Sequence, residues 1–295
     1  MKQIAIIGAT ASGKSDLALN IAQKTNSIIL SIDSLSIYKE IDIASAKPNK
    51  DELNQVIHFG INEIKVDQYF SVEIFQSIYK KSIDYAKLHD KNLIIVGGSG
   101  FYLKSLLTGL SNIPKFSHDT IEKTKNILNN SDNGYSYLLD IDNDLKIAKN
   151  DKYRIEKNLL IYFETQKKPS QYLKENPPTP IIDKLDIFNL TQSKEILNQR
   201  IVKRTSKMFD IGLIDEIAML EYKYKRFPNA MQAIGIKEIL AYFDGKIDKE
   251  QTKEQIIIHT QQLAKRQRTF NSSQFITQPE SKAKDIESKA IQYLL

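Results

Sequence analysis

The sequence predicts an α/β fold in which helices flank a parallel sheet, and three observations support this. Apolar segments without polar alternation occupy residues 4–7, 27–32 and 92–96. Such segments are typical of strands that are buried on both faces of a sheet. The stretches between them have the apolar spacing of helices, and the first strand runs directly into the octapeptide GATASGKS at residues 8–15. Strands interleaved with helices in this way indicate a parallel sheet covered on both faces.

The elements of the first third alternate between strand and helix. A helix over residues 16–24 follows the first strand, and a second helix over residues 71–88 carries apolar residues at steps of three and four. The strand at residues 92–96 leads through a glycine turn to a helix that extends to residue 107. Gly109 closes that helix, because a glycine just beyond a helix end readily adopts the left-handed conformation.

The middle of the chain has a different pattern. Residues 115–183 show helical spacing but no convincing buried strand, and they include the rigid loop NPPTP. The segment DIFNL at residues 186–190 again has the pattern of a core strand, and the chain after it is helical nearly to its end. We therefore predict a helical insertion over residues 115–183. Residues 1–114 and 184–295 would form the α/β core with its C-terminal helices.

The composition restricts the class of protein. The chain has 295 residues, of which 41% are hydrophobic and 26% charged, as in ordinary globular proteins. The absence of cysteine excludes disulfides and thiolate metal sites and indicates a reducing compartment. No apolar run approaches the roughly 20 residues of a membrane span, and the first strand starts too early for a signal peptide. We expect a cytoplasmic protein with no membrane partner. Its net charge of +6 fits a polyanionic partner or a lysine-rich composition.

The octapeptide at residues 8–15 matches the phosphate-loop pattern G-x-x-x-x-G-K-[ST] at every fixed position. Its glycines let the backbone approach an anion, the next helix N-terminus faces that anion, and Lys14 adds a positive charge. Ser15 is placed to bind a Mg²⁺ ion that bridges phosphate oxygens. The predicted fold is therefore P-loop NTPase-like. The residues predicted to bind a diphosphate or a nucleotide are Gly8, Ala9, Thr10, Ala11, Ser12, Gly13, Lys14 and Ser15.

A second acidic group that would hold magnesium in an ATPase or kinase is missing from the expected place. The strand at residues 92–96 is followed by Gly97-Gly98-Ser99, without a carboxylate. Asp33 is the acidic residue that ends a core strand, and it suits either a base or metal ligand, or a simple turn cap. The loop therefore fits a leaving diphosphate better than it fits nucleotide hydrolysis.

Seven motifs together resemble the tRNA dimethylallyltransferase (isopentenyltransferase) family. In chain order they are GATASGKS (8–15), SIDSLSIYKEIDIASAKP (31–48), IIVGGSGFYLKSLLTGL (94–110), NDKYRIEKNLLIY (150–162), LNQRIVKRTSKMFDIGLIDEI (197–217), QAIGIKEIL (232–240) and LAKRQRTF (263–270). The resemblance implies transfer of a dimethylallyl group from dimethylallyl diphosphate to N6 of adenosine 37, next to the tRNA anticodon. It also implies that the diphosphate and Mg²⁺ occupy the phosphate loop.

The resemblance assigns roles to single residues. Asp33 matches the family's base, Arg204 matches a diphosphate-contacting arginine, and Ser99 keeps the hydroxyl of a family threonine; these are the predicted catalytic residues. Arg200 lies four residues before Arg204 on the same helix face. The target base must be extruded from its RNA loop. The residues implied to bind tRNA are Asp33, Ser34, Leu35, Ser36, Tyr153, Arg154, Ile155, Glu156, Lys157, Lys265, Arg266 and Arg268. The insertion is expected to reach the anticodon stem, and the protein to act as a monomer.

The basic residues Lys265, Arg266 and Arg268 lie on a predicted helix over residues 252–270. Its basic side chains either track RNA phosphates or form a solvated face, and Thr252 and Gln255 have the spacing of a capping box. The chain departs from the family pattern at five places: Ser36 for glutamine, ASAKP (44–48) for GTAKP, Ile236 for an aromatic residue, Gln261 for arginine and Phe270 for tryptophan. These departures bear on RNA affinity rather than on the chemistry. The four scattered histidines are interpreted as structural or surface residues.

Three alternative functions stay open at this point. A small-molecule or nucleotide kinase would use the loop for ATP, although the missing acidic strand end argues against it. An adenylate isopentenyltransferase would prenylate free nucleotides, yet a free nucleotide needs neither the basic helix nor the insertion. A non-catalytic RNA-binding protein would use the loop only as an anion site. The pattern of the loop is also compatible with ATP binding.

Overall fold

The computed structural model of the chain describes residues 1–129 and 132–295, which divide into two compact units. The larger unit comprises Met1–Leu106 and Ile182–Leu295, and the smaller unit comprises Leu107–Ile181. The sequence prediction had placed these boundaries at residues 115 and 183. Where the chain returns to the larger unit, the Ile182 N–H donates to the Leu106 carbonyl at 3.0 Å.

The larger unit is built on a parallel sheet in the order β3-β2-β4-β1-β5, which confirms the predicted fold class. The strands are β1 (Gln3–Gly8), β2 (Ser27–Ser31), β3 (His58–Phe59), β4 (Asn92–Gly97) and β5 (Asp186–Leu190). Because all neighbours are parallel, the carboxyl ends of β1, β2 and β4 lie at one edge of the sheet. Ligands of open α/β sheets bind at this edge.

The helices follow the predicted alternation. In chain order they are α1 (Lys14–Lys24), α2 (Lys50–Gln55), α3 (Val72–Leu88), α4 (Gly100–Thr108), α5 (His118–Leu128), α6 (Tyr135–Ile141), α7 (Lys152–Thr165), α8 (Pro169–Glu175), α9 (Lys194–Asp210), α10 (Leu213–Tyr224), α11 (Ile236–Phe243), α12 (Lys249–Gln274) and α13 (Ala283–Leu294), with a short 3₁₀ helix at Asn229–Gln232. No helix in the described part of the chain is long and apolar enough to cross a membrane.

Apolar strand residues hold the sheet between its helical layers. Ile4 and Ile6 of β1 are fully buried, and they pack in one cluster with residues of α1 and α13. Helix α3 contacts β2 and β4 and buries Phe75. Each such side chain contributes roughly 1.5–3 kcal/mol to folding when it leaves water. The continuous apolar runs that predicted these strands are therefore the residues that form the core.

Helix α12 begins earlier than the sequence prediction placed it. Asp248 accepts a hydrogen bond from the Gln251 N–H at 2.8 Å, and the Gln251 side chain accepts one from the Asp248 N–H at 2.9 Å. The capping box predicted at Thr252 and Gln255 is therefore wrong, because an equally good cap lies one turn earlier. Thr252 is buried inside the helix, where its hydroxyl donates to the Asp248 carbonyl.

The described residues of the smaller unit include helices α5 to α8, joined by loops, and no strand. Leu138, Ile155 and Leu159 are fully buried at its centre, and partly buried apolar residues surround them. Two chain segments meet closely in this unit: a Cβ on Gly109 would lie 2.0 Å from the Thr179 carbonyl oxygen.

Candidate active site

A cavity of about 520 Å³ opens at the carboxyl edge of the sheet. Its walls come from the segments that follow β1, β2 and β4, and from helices α9 and α12, all within the larger unit. Predicted site residues from four distant parts of the chain share this cavity. They are Thr10, Lys14, Ser15, Asp33, Ser34, Leu35, Ser36, Ser99 and Arg204.

The glycine-rich loop, residues 8–15, joins β1 to α1 as the sequence predicted. Gly13 directly precedes the helix and has φ +92°, a left-handed conformation that disfavours residues with a Cβ. Lys14 is the first residue of the helix, and its ammonium group donates to the Ala9 carbonyl at 3.2 Å. The loop therefore brings a helix N-terminus and a lysine to one wall of the cavity.

Two cations lie close together in this wall. Burial lowers the pKa of Lys14; Asp33 opposes the shift, the neighbouring Arg204 adds to it, and the resulting value is about 8. Burial also lowers the pKa of Arg204, again opposed by Asp33. Two partly desolvated cations with one carboxylate leave an excess of positive charge. Such a site stabilises a ligand with several negative charges.

Two arginines of α9 hold the glycine-rich loop from outside. Arg200 donates to the carbonyls of Ala11 and Ser12, at 3.3 and 2.9 Å. Arg204 donates to the Thr10 hydroxyl at 3.0 Å and lines the cavity. The two residues thus share a helix face, as predicted, but only Arg204 reaches the cavity.

Asp33 serves as a turn cap and also faces the cavity. Its Oδ1 accepts the N–H groups of Leu35 and Ser36, at 2.9 and 3.1 Å. Within the described chain no hydrogen bond engages its Oδ2. The carboxylate interacts electrostatically with Lys14 and Arg204. The two interpretations of Asp33 from sequence are therefore compatible, because each uses a different oxygen.

The turn after β4, the strand between β1 and β2 in the sheet, also lines the cavity and contains no carboxylate. Ser99 lines the cavity just before α4. Gly98 is closely covered by Gln267 of α12: a Cβ at this position would lie 2.3 Å from the Gln267 Nε2. The same glutamine accepts the Thr10 N–H at 2.7 Å through Oε1.

The sequence model of the IPP transferase family matches residues 36–274. The chain belongs to the IPP transferase family. Among its relatives are the tRNA dimethylallyltransferases of Sulfurimonas denitrificans, 54% identical over 94% of both chains, and Nautilia profundicola, 52% identical over 92% of both. A solved structure of a eukaryotic dimethylallyltransferase acting on tRNA is similar with TM-score 0.81 and 28% identity, over 92% of this chain and 70% of its own. The tRNA isopentenylpyrophosphate transferase of Staphylococcus epidermidis is similar with TM-score 0.69 and 27% identity, over 100% of this chain and 99% of its own.

The segment after Asp33 also lines the cavity, through Ser34, Leu35 and Ser36. Ser34 is exposed, whereas Ser36 is 5% exposed and only part of it reaches the cavity. The following residues 42–44 are held by the Glu216 carboxylate, which accepts three backbone N–H groups at 2.7 to 2.9 Å. Lys47 fixes the same segment by donating to Asp42 and Asn62, at 2.8 and 2.7 Å.

The basic residues of α12 lie outside this cavity. Lys265, Arg266 and Arg268 are all exposed. Lys265 and Arg268 line a second recess of about 800 Å³ together with Lys194, so they do share a face. The exposed cations therefore suit an extended anion rather than the small ligand of the cavity.

The segment at residues 153–157 belongs to α7 of the smaller unit. Tyr153, Arg154 and Glu156 are exposed, and the Lys157 ammonium lies 5.7 Å from the Tyr153 ring centroid. Ile155 is 0% exposed and packs in the core of that unit, so its predicted contact with tRNA is wrong. The error follows from the helical period, because a segment of five consecutive residues on an amphipathic helix includes at least one residue of the buried face.

The oxygen ligands at the cavity are few. The described residues contain no group of three or more histidines, cysteines or acidic residues that could hold a metal ion. Ser15, Asp16 and Asp33 do line the cavity. Mg²⁺ commonly takes one or two protein oxygens and completes its shell with phosphate oxygens and water, so this set fits magnesium bound with a phosphate ligand.

Two residues with clear structural roles were missed in the sequence. Gln267 lies seven residues after Thr260 and four after Leu263, and all three line the cavity, so helical spacing was a usable signal. Glu216 offered no such signal, because its three partners lie more than 170 residues away.

Proposed function

We propose that this chain transfers a dimethylallyl group from dimethylallyl diphosphate to N6 of adenosine 37 in tRNA. The observation that carries the proposal is one cavity that joins the cationic glycine-rich loop to the Asp33 carboxylate. The names of the relatives, tRNA dimethylallyltransferase, agree with this chemistry. The proposal places the enzyme in the cytoplasm with its tRNA substrate, acting as a monomer.

The donor would bind with its diphosphate on the glycine-rich loop. Transfer breaks the bond between the allylic carbon and the diphosphate oxygen, and negative charge then grows on the leaving diphosphate. Lys14, Arg204 and the first N–H groups of α1 would stabilise that charge, which is supported by the position of both cations at the cavity. Ser99 lines the same cavity and would offer a further hydroxyl donor.

The acceptor nitrogen needs help because its lone pair is delocalised into the adenine ring. In the proposed step N6 forms a bond to the allylic carbon and gives one proton to a carboxylate. Asp33 is suited to this role, since its Oδ1 keeps the turn in place while Oδ2 is free to accept the proton. Diphosphate leaves with the electron pair of the broken bond, so the reaction needs no oxidant or reductant.

Magnesium would be held by the Ser15 hydroxyl and by oxygens of the diphosphate, and Asp16 and Asp33, which line the same cavity, would be candidates for contacts through water. When bound, it would add positive charge at the leaving group. ATP could occupy the same loop, but the proposal assigns it no part in the reaction.

The RNA would supply its target base in an extruded conformation, which costs a few kcal/mol of stacking. Contacts to the flanking nucleotides offset this cost. We assign these contacts to Ser34, Leu35 and Ser36 beside the cavity, to Lys265, Arg266 and Arg268 on α12, and to Tyr153, Arg154, Glu156 and Lys157 of the helical insertion. Adenosine in an anticodon loop is suitable because RNA loops present unpaired bases.

The alternatives predict different products from one experiment. The protein is incubated with Mg²⁺, labelled dimethylallyl diphosphate and an anticodon stem-loop with adenosine at position 37. A matched stem-loop with guanosine there is the control, since it lacks the N6 amine. We expect label in the first RNA only.

Label in AMP or ATP instead of RNA would favour the free-nucleotide transferase. Faster transfer of the ATP γ-phosphate than of the prenyl group would favour a kinase. Tight RNA binding without any transfer would favour a non-catalytic RNA-binding protein. Each of these three results would contradict the proposal.

A further inference from the structure

The side chain of Gln267 contacts two neighbouring segments of the cavity wall, the glycine-rich loop after β1 and the turn after β4. Its Oε1 accepts the Thr10 N–H of the glycine-rich loop at 2.7 Å. Its carboxamide also covers Gly98 so closely that a Cβ there would lie 2.3 Å from Nε2 and 2.9 Å from the carboxamide carbon. The Gln267 side chain therefore contacts both the glycine-rich loop and the turn that carries Ser99.

Thr10 links Gln267 to Arg204 through two hydrogen bonds. The Thr10 backbone is held by Gln267, and the Thr10 hydroxyl accepts a hydrogen bond from Arg204 at 3.0 Å. Burial lowers the pKa of Arg204, so the guanidinium lies in a poorly solvated place where its partners matter. A shift of Thr10 would therefore displace the arginine that faces the leaving group.

Helix α12 gives Gln267 a rigid base. One turn further along the helix, Phe270 and Asn271 pack against Gly100: a Cβ there would lie 2.7 Å from Phe270 Cδ1 and 3.0 Å from Asn271 Oδ1. Asn271 is 1% exposed. The helix therefore lies directly on the turn between β4 and α4, and Gln267 reaches from it to the neighbouring glycine-rich loop.

We propose that Gln267 is a positioning residue for the transfer reaction. It keeps Thr10, and through Thr10 the Arg204 guanidinium, at a fixed place relative to the turn that carries Ser99. The inference rests on the proposed function for its kinetic test. The geometry of the diphosphate site is tested separately, through the affinity for inorganic diphosphate.

The chemistry of glutamine separates this role from simple space filling. Gln267→Met keeps the length of the side chain and its cover over Gly98, but it removes the acceptor for the Thr10 N–H. Gln267→Glu keeps an acceptor oxygen and adds a negative charge near the diphosphate. Gln262→Met is the matched control, since Gln262 is an exposed glutamine of the same helix.

The test measures the kcat and KM of prenyl transfer and the affinity for inorganic diphosphate with Mg²⁺. For Gln267→Met we expect kcat to fall between about 10-fold and about 100-fold, because small displacements of catalytic groups have effects of this size. Diphosphate affinity should fall as well. Gln267→Glu should restore much of kcat and show its added charge as a higher KM for dimethylallyl diphosphate. Gln262→Met should leave kcat and diphosphate affinity at their wild-type values, since Gln262 lines the second recess and not the cavity.

A double-mutant cycle tests the connection through Thr10. Thr10→Val removes the hydroxyl that accepts from Arg204 but keeps the N–H that Gln267 binds. Because both changes act on Arg204, the Gln267→Met effect on kcat should be much smaller in the Thr10→Val background. Fully multiplicative effects would contradict the proposed connection.

Wild-type kcat and diphosphate affinity in a folded Gln267→Met protein would overturn the inference. If Gln267→Met fails to fold, Gln267→Glu and Gly98→Ala are measured instead. The added methyl group of Gly98→Ala pushes the glutamine away from Thr10, so wild-type kcat and diphosphate affinity in this variant would also overturn the inference. A wild-type protein that binds diphosphate but labels no RNA would refute the proposed function alone. The role of Gln267 would then be judged by diphosphate affinity.

Discussion

The two carboxylate oxygens of Asp33 have different surroundings, and this decides how its role is best tested. Oδ1 caps the turn through the N–H groups of Leu35 and Ser36. Removing the whole carboxylate would disturb that turn as well as the chemistry. Asparagine keeps an oxygen for the cap and loses the basic one, so it separates the two functions.

We predict that Asp33→Asn lowers the rate of prenyl transfer by about 100-fold or more, because general-base catalysis typically contributes this much. Affinity for the anticodon stem-loop should stay close to that of the wild type, since the turn is kept. Single-turnover transfer with labelled donor and a fluorescence binding assay measure the two quantities. Transfer at more than a tenth of the wild-type rate would show that Asp33 is only a cap.

The electrostatics of Lys14 lead to a pH prediction. Burial lowers its pKa in the free protein to about 8, and a bound diphosphate favours the charged form and raises that pKa again. Binding therefore takes up a proton once the pH exceeds about 8. From pH 7 to pH 9 this linkage weakens diphosphate binding by about 10-fold, apart from titration of the ligand itself.

Calorimetric titration of inorganic diphosphate with Mg²⁺ at the two pH values measures this change. Lys14→Arg serves as the control, because arginine keeps its charge across the range and reports only the titration of the ligand. Equal pH dependence in both proteins would exclude Lys14 as the group that takes up the proton.

At the scale of elements, the predictable features are those with local patterns. The strands β1, β2, β4 and β5 were predicted because each is a continuous apolar run between turn residues. Strand β3 was missed, since its two residues, His58 and Phe59, are too short for any period. The start of α12 was misplaced because two capping signals lie within one turn.

The features that escaped prediction depend on contacts across the chain. Gln267 and Thr10 are 257 positions apart, and Glu216 and Asp42 are 174 apart. Local spacing can indicate that a helical residue faces a cavity, but it does not identify the partner on another element. The catalytic candidates were found only because a motif or a family resemblance identified them.

The loop at residues 42–44 gives a prediction at this scale. Three of its N–H groups donate to Glu216, which is 9% exposed. Glu216→Ala leaves them without that acceptor, and we expect the free energy of unfolding to fall by about 2–4 kcal/mol. Urea denaturation measures this loss, and the KM for RNA should rise because Ala44 lines the cavity.

Glu221→Ala on the same helix is the control for this change. The Glu221 side chain forms a surface ion pair with Arg226, and removing such a pair costs about 1 kcal/mol or less. Similar losses in the two variants would mean that the three N–H groups find water or other acceptors, and that Glu216 does not organise the loop.

At the scale of the whole molecule, the residues of the cavity and those of the helical insertion belong to different units. Every residue lining the cavity lies in Met1–Leu106 or Ile182–Leu295. The exposed residues Tyr153 and Arg154 lie in the smaller unit. In the proposed function, this division separates the chemical step, whose residues all lie in the larger unit, from an RNA contact that we assign to the insertion.

The last prediction tests that separation by removing the insertion. Gly109 and Thr179 lie in contact, and Leu106 and Ile182 are joined by a hydrogen bond, so a Gly/Ser linker of about four residues can replace residues 110–178. We expect the shortened protein to fold, since the larger unit keeps its own core. Its diphosphate affinity should stay within about threefold of the full chain, and its affinity for the stem-loop should fall by at least about 10-fold as phosphate contacts are lost.

Equilibrium binding of diphosphate and of the stem-loop to both proteins measures these two changes. The double variant Tyr153→Ala with Arg154→Ala is the companion test, because both residues are exposed and their removal leaves the core of the smaller unit intact. It should weaken RNA binding in the same direction, by a smaller factor, with no change in diphosphate affinity. If both altered proteins bind the stem-loop as tightly as the full chain, the insertion does not contact RNA. The phosphate contacts that offset the cost of base extrusion would then have to come from the cations of α12.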